Sequence, residues 1–171
     1  QTTAGRMIFT EMKAVVPDVR CVVVGDGPLR AALERENGWV TFSGMQTGED
    51  LARHYASADV LLFPSETETF GNVLLEGMAS GLATVSYDYA ASAMHVTHGE
   101  NGLKVASGNR DAYLAMAVEA LHITPENRLR SRARADAELL GWDSIIREFE
   151  FLRPPQVSLL DPFFGIIPGS A

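Results

Sequence analysis

Only one cysteine, Cys21, occurs in the 171 residues, so no disulfide can form within the chain. Its place in the apolar run Cys21-Val22-Val23-Val24 predicts a buried structural thiol rather than a nucleophile, and a reducing compartment fits. Positive charge is scarce as well: 14 Lys and Arg stand against 22 Asp and Glu, for a formal net charge of −8. Such a chain has no broad basic footprint for nucleic acid or an anionic membrane, so any anion must be held locally. No apolar stretch approaches the roughly 18 to 20 residues that a bilayer span needs, and no charged-then-apolar leader opens the chain. A cytoplasmic protein is expected. Internal repeats and low-complexity tracts are missing too, and His54, His95, His98 and His122 show no ligand-like pairing.

What the chain does contain is a core: 46% of its residues are hydrophobic, enough for one ordinary domain. The pattern alternates. Met7 to Val16 reads as a helix, broken by Pro17-Asp18 before the β-branched run Val19 to Val24. Pro28 to Glu36 has helical spacing and Val40 to Ser43 suits a strand. Thr47-x-x-Asp50 resembles a capping box that opens a helix through Ala58, with Leu51, Tyr55 and Ala58 on its inner face. The apolar run Asp59 to Phe63 predicts a buried strand, Asn72 to Ser80 a helix stopped by Gly81, and Ala83 to Tyr87 another strand. Asn101-Gly102 marks a turn before the strand Leu103 to Val105. Helices follow from Asp111, over Glu126 to Leu140, and around Ile145, Ile146 and Phe149 up to Pro154-Pro155. Strand and helix in alternation predict an α/β fold, a Rossmann-like doubly wound parallel sheet with flanking helices. The domain is expected over residues 1–153, with a tail over 154–171 whose apolar residues fit a native packing segment or an added tail equally well. Gln1 to Arg6 shows no clear pattern.

The segment from Phe63 to Gly81, FPSETETFGNVLLEGMASG, carries the chemistry. It places Glu68 and Glu76 on either side of a loop, at the carboxyl end of a predicted strand and the start of a predicted helix. In open parallel sheets ligands bind at that edge, and the free N–H groups of a helix's first turn attract anions. Gly71 allows close backbone approach, so the amides of Gly71, Asn72 and Val73 suit a diphosphate. A carboxylate beside phosphates must face a neutral part of the ligand. Glu76, one turn into the helix, suits ribose hydroxyls, and Glu68 suits a sugar at the other end of the diphosphate. A plainer reading stands beside this one: Asn72 is a common N-cap, acidic residues favour first turns, and Glu68 fits a solvated loop.

The string Glu68-Thr69-Phe70-Gly71-Asn72-Val73-Leu74-Leu75-Glu76, followed by Gly77-Met78-Ala79-Ser80-Gly81, strongly resembles the E-x7-E signature of the group 1 retaining glycosyltransferases of GT-B architecture. Gly25-Asp26-Gly27-Pro28, Val40-Thr41-Phe42-Ser43-Gly44, Tyr55-Ala56-Ser57-Ala58-Asp59-Val60 and Asn101-Gly102-Leu103 are similar to landmarks of the same family, in register from about Pro17 to Phe149. The resemblance implies the C-terminal, donor-binding half of a two-domain enzyme that moves a hexose, mannose or glucose favoured, from a nucleoside-diphosphate sugar to a lipid or saccharide with retained configuration. By position it implies that Glu68 meets the donor sugar and is the candidate catalytic residue, that Glu76 meets the ribose, and that Phe70, Gly71, Asn72 and Val73 contact sugar and diphosphate. Gly44 and Met45 would lie near the base. No metal and no cofactor are implied beyond the donor, with GDP-mannose favoured over a UDP-sugar. The partner is an N-terminal acceptor domain that the chain lacks, and membrane contact is expected only through the full-length protein, at the inner face.

Departures from the family accompany the matches. An arginine and a lysine that grip the diphosphate are expected upstream of this chain, so Arg6 and Lys13 are not assigned to phosphate. Ala90-Ala91 and His95 stand where the family tends to show a Gly-Gly pair and later a glutamate, and a packed or solvated His95 is expected. Gly25-Asp26-Gly27 is expected to make a turn. A dinucleotide-dependent oxidoreductase fits poorly, because Arg30 holds the third glycine position of that fingerprint and no acid ends the next strand. A nucleotide-binding fragment without transferase activity, or a related GT-B sugar-nucleotide enzyme, is the alternative.

Overall fold

Alternating strands and helices wind into parallel sheets with helices on both faces. The computed structural model describes residues 2–66 and 71–140. Residues Gln1–Leu139 form one compact unit. The second unit is Leu140–Ala171, and the expected helix at Ile145 to Phe149 and the tail over 154–171 lie outside the described residues.

The order is α1 (Thr2–Val15), β1 (Val22–Val24), α2 (Arg30–Glu36), β2 (Thr41–Gly44), α3 (Gly48–Ala56), β3 (Val60–Phe63), α4 (Asn72–Ala79), β4 (Ala83–Tyr87), α5 (Ala90–His95), β5 (Leu103–Val105), α6 (Arg110–Ala120) and α7 (Arg128–Leu139). Among the described residues β1 pairs with β2, and a second sheet has the order β3-β4-β5. Every pairing is parallel, so within each sheet all strands end on one edge.

Strand β4 shows how the layers form. Buried on both faces along its whole length, it alternates Ala83, Val85 and Tyr87 with Thr84 and Ser86. The first set joins a core with Ile8 and Met12 of α1 and Tyr113, Ala117 and Ala120 of α6. Ser86 hydrogen-bonds Ser92 of α5 at 2.6 Å. A second core collects Leu74 and Met78 of α4, Ala91 of α5 and Ala133 and Ala137 of α7. Tyr113 crosses to the sheet, donating its hydroxyl to the Val85 carbonyl at 2.9 Å and packing its ring 4.8 Å from that of Tyr87.

Several expectations shift in detail. Helix α1 begins at Thr2, although Gln1 to Arg6 has no periodicity, because a helix anchored by Ile8 and Met12 propagates at little cost beyond its nucleus. Strand β1 is shorter than the expected Val19 to Val24: Val19 turns into the core with its N–H on the Val16 carbonyl, and pairing starts at Val22. Cys21 is half-buried rather than buried, packed beside the core; burial pushes its thiol pKa up, with Lys13 opposing. Thr47 is the N-cap of α3, but its side chain makes no capping hydrogen bond.

Helix α4 is fastened at its C-terminal end from far along the chain. Arg130 Nε donates to the Gly81 carbonyl at 2.6 Å, and Arg134 donates to the carbonyls of Ala79 and Ser80 at 3.1 and 3.0 Å. Cations there satisfy orphan carbonyls and oppose the negative end of the helix dipole. The turn expected at Asn101-Gly102 is also an anchor: the buried Asn101 accepts from the Thr97 N–H and donates to the His95 carbonyl and to Asp136.

Asp136 makes that anchor acid-sensitive. Arg132, hydrogen-bonded at 2.7 Å, holds its carboxyl below the ordinary carboxylate range, and Asn101 adds to the effect. Because the folded pKa is the lower one, the stabilisation is complete above the unfolded value and fades as pH falls through the folded value. The stability advantage of wild type over Asp136→Asn is therefore expected to shrink below about pH 4. Urea titrations at neutral pH and at pH 3 measure it; an advantage that does not change contradicts this role.

Candidate functional site

The loop after β3 leads into α4 at the carboxyl edge of the sheet. Gly71 is the N-cap of α4, with φ 63° and ψ 29°, in the left-handed region that glycine favours. It is buried, and a Cβ built on it would overlap Ala91 Cβ. Both features call for glycine. The Gly71 carbonyl accepts from Leu74 and Leu75 at 2.8 and 3.1 Å, which starts the helix. The N–H groups of Gly71, Asn72 and Val73 have no acceptor among the described residues. They form a cluster of donors at the positive end of a helix dipole.

Asn72 does not cap the helix, as the plainer reading had it. Gly71 takes that position, and Asn72 is the first helical residue with an exposed side chain. Val73 is 41% exposed, while Leu74 and Met78 anchor the opposite face. Glu76 is exposed on the same helix, and its Oε2 accepts from the Tyr55 hydroxyl at 2.9 Å. Glu68 and Phe70 lie outside the described residues. The loop leading to them is tied down by Glu66, whose carboxylate accepts from the Gly108 N–H at 2.7 Å, beyond β5.

Gly44 and Met45 stand at the end of β2, in the other sheet. Gly44 is buried with φ 71°, its carbonyl accepting from Gly25 at 2.8 Å, and Met45 is 69% exposed. The Arg30 guanidinium lies against Gly44 and donates to the Phe42 carbonyl at 3.3 Å, while bonding Asp26 and Glu34. Asp26 also accepts from the Gly27 N–H at 2.8 Å; the turn expected at Gly25-Asp26-Gly27 lies one step later, at Pro28-Leu29, closed by the Arg30 N–H on the Gly27 carbonyl at 3.1 Å, with only a bend at Gly25. Helix α3 begins just beyond Met45 and brings Tyr55 to Glu76, which links the two regions. His95 is half-buried at the end of α5, near Ala90, whose φ of 45° is unusual for a residue with a Cβ.

Among the described residues no group of three His, Cys, Asp or Glu could hold a metal ion, and no helix is long and apolar enough to cross a membrane. The strongest arrangement present is the row of amides at Gly71 to Val73, with a hydrogen-bonded carboxylate one turn further on. It suits an anion joined to a neutral polyol.

Comparisons with known proteins identify the family and the fold. A family model described as "Glycosyl transferases group 1" matches residues 4–123. A GDP-mannose-dependent alpha-mannosyltransferase of Mycobacterium tuberculosis is 35% identical over 79% of this chain and 36% of its own length. A GDP-mannose-dependent alpha-(1-6)-phosphatidylinositol dimannoside mannosyltransferase of the same species is 37% identical over 73% of this chain and 33% of its own. The chain thus spans about a third of the length of these curated relatives. Among solved structures, the pneumococcal O-GlcNAc transferase GtfA, in complex with UDP and GlcNAc, superposes with a TM-score of 0.76 at 19% identity. The match covers 89% of this chain and 32% of that one, a likeness of fold. The α/β architecture is that of the GT-B glycosyltransferases, and the chain belongs to the group 1 glycosyl transferases.

Proposed function

We propose that this chain is the donor-binding domain of a retaining glycosyltransferase, transferring a hexose, mannose or glucose, from a nucleoside-diphosphate sugar to a lipid or saccharide acceptor. The observation that carries it is the start of α4: three backbone donors at Gly71, Asn72 and Val73, with the Glu76 carboxylate one turn away. In this reading the diphosphate lies on the amides, the ribose on Glu76, and the base near Gly44 and Met45. Glu68 and Phe70 are assigned to the sugar, with Glu68 the catalytic candidate. As the bond to the sugar breaks, charge grows on the departing diphosphate, and fixed N–H dipoles stabilise it without reorganising. Donors already in place stabilise the leaving group, so neither metal nor cofactor is invoked.

GDP-mannose is the favoured donor, because curated relatives are named as GDP-mannose-dependent; a UDP-sugar is second, since a protein of the same fold was crystallised with UDP. The acceptor groups are assigned to a separate N-terminal domain, in keeping with the share of the relatives that this chain spans. The whole enzyme would work in the cytoplasm, at most peripheral to the inner face of the membrane.

Replacing Glu76 by glutamine is expected to weaken nucleoside-diphosphate binding by about 1 to 3 kcal/mol, the value of a hydrogen bond to a charged group. Calorimetric titration of GDP and UDP measures it, and unchanged affinity refutes the ribose role. Because cleft closure and acceptor groups need the other half, the chain alone is expected to show no efficient sugar transfer. Turnover of GDP-mannose by the purified chain would contradict that division of labour.

A further inference from the structure

Tyr55 stands outside the motif, in a different helix, yet its hydroxyl donates to Glu76 Oε2 at 2.9 Å across a sequence separation of 21 residues. Burial first, and then the bond to Glu76, push its pKa far above the ordinary tyrosine value, so the hydroxyl keeps its proton. A phenylalanine would fill the same half-buried place on α3. What the tyrosine adds is one directed donor. Glu76 is exposed, and a free glutamate on a helix surface spreads over several rotamers, which a ligand must restrict on binding. A carboxylate has about four acceptor directions on its two oxygens, and Tyr55 takes one of them on Oε2, leaving Oε1 to a ligand.

We infer that Tyr55 is a positioning residue for the nucleotide ribose: it holds the Glu76 carboxylate so that the remaining oxygen meets the ribose hydroxyls. This rests on the ribose role proposed above for Glu76. Tyr55 touches no reacting atom, and its effect passes through the carboxylate.

Calorimetric titration of the whole chain with GDP and UDP, and with their 2′,3′-dideoxy forms, separates the possibilities in wild type, Tyr55→Phe, Glu76→Gln and the double variant. Tyr55→Phe is expected to weaken binding of the ribonucleotides about 3- to 10-fold and to leave the dideoxy forms within about twofold. Added to Glu76→Gln, it should have no further effect, because the two residues act as one unit. If Glu76→Gln weakens binding and Tyr55→Phe does not, the positioning role is overturned while the ribose role stands. If Glu76→Gln has no effect, or the chain binds none of these diphosphates, both fall. Equal losses for ribo and dideoxy ligands in Tyr55→Phe, or additive losses in the double variant, overturn the positioning role as well.

Discussion

Gly71→Ala is expected to destabilise the fold by about 2 to 5 kcal/mol and to remove nucleoside-diphosphate binding. Two costs add. A side chain at φ 63° enters the left-handed region at about 1 to 2 kcal/mol. The new Cβ also overlaps that of Ala91, a rigid neighbour in α5, and forced contacts of this kind cost about 1 to 3 kcal/mol. Relief of either strain moves Gly71 and turns the amides of Asn72 and Val73 away from their common direction. Urea denaturation gives the stability and titration with GDP gives the binding. The double variant Gly71→Ala, Ala91→Gly removes the overlap but not the backbone strain, so it should recover part of the loss when corrected for Ala91→Gly alone. A Gly71→Ala chain with wild-type midpoint and affinity refutes the loop geometry.

Tyr113→Ala is expected to cost about 3 to 5 kcal/mol, the usual result of emptying a large aromatic site in a packed core. Tyr113 is fully buried, packs its ring at a tilt of 42° against Tyr87, and donates its hydroxyl to the carbonyl of Val85 in the central strand. Tyr113→Phe isolates the last of these contacts: it keeps the ring, leaves a buried carbonyl short of a partner, and should cost about 1 to 2 kcal/mol. The same urea titrations rank them. A loss below about 1 kcal/mol for Tyr113→Ala contradicts its place as the pin between α6 and β4.

Much of the fold can be read from local signals. Ala83–Tyr87 and Leu103–Val105 are strands at the residues expected, because apolar or β-branched runs bounded by Gly81 and Gly102 leave little choice. The start of α4 is nearly as clear, since Gly71 is the one residue of its loop suited to a left-handed cap. Helix α5 is not legible: six residues carry no periodicity, and its first residue has positive φ. The fastenings of α4 by Arg130 and Arg134 join residues 49 to 55 apart, and no local pattern announces such pairs. Tyr55 belongs with them. Its spacing marks it as an inner-face residue of α3, but the partner of its hydroxyl depends on how two helices meet. Asn101 reads as a turn residue and proves to be a buried anchor for the same reason.

In the proposed function the first turn of α4 receives the diphosphate of a nucleotide. Amide NMR of the isotopically labelled chain during titration with GDP tests it most directly. The largest shifts are expected at Gly71, Asn72 and Val73, accompanied by Glu76, with smaller ones at Gly44 and Met45. Saturable binding that leaves the amides of Gly71, Asn72 and Val73 unmoved would contradict it.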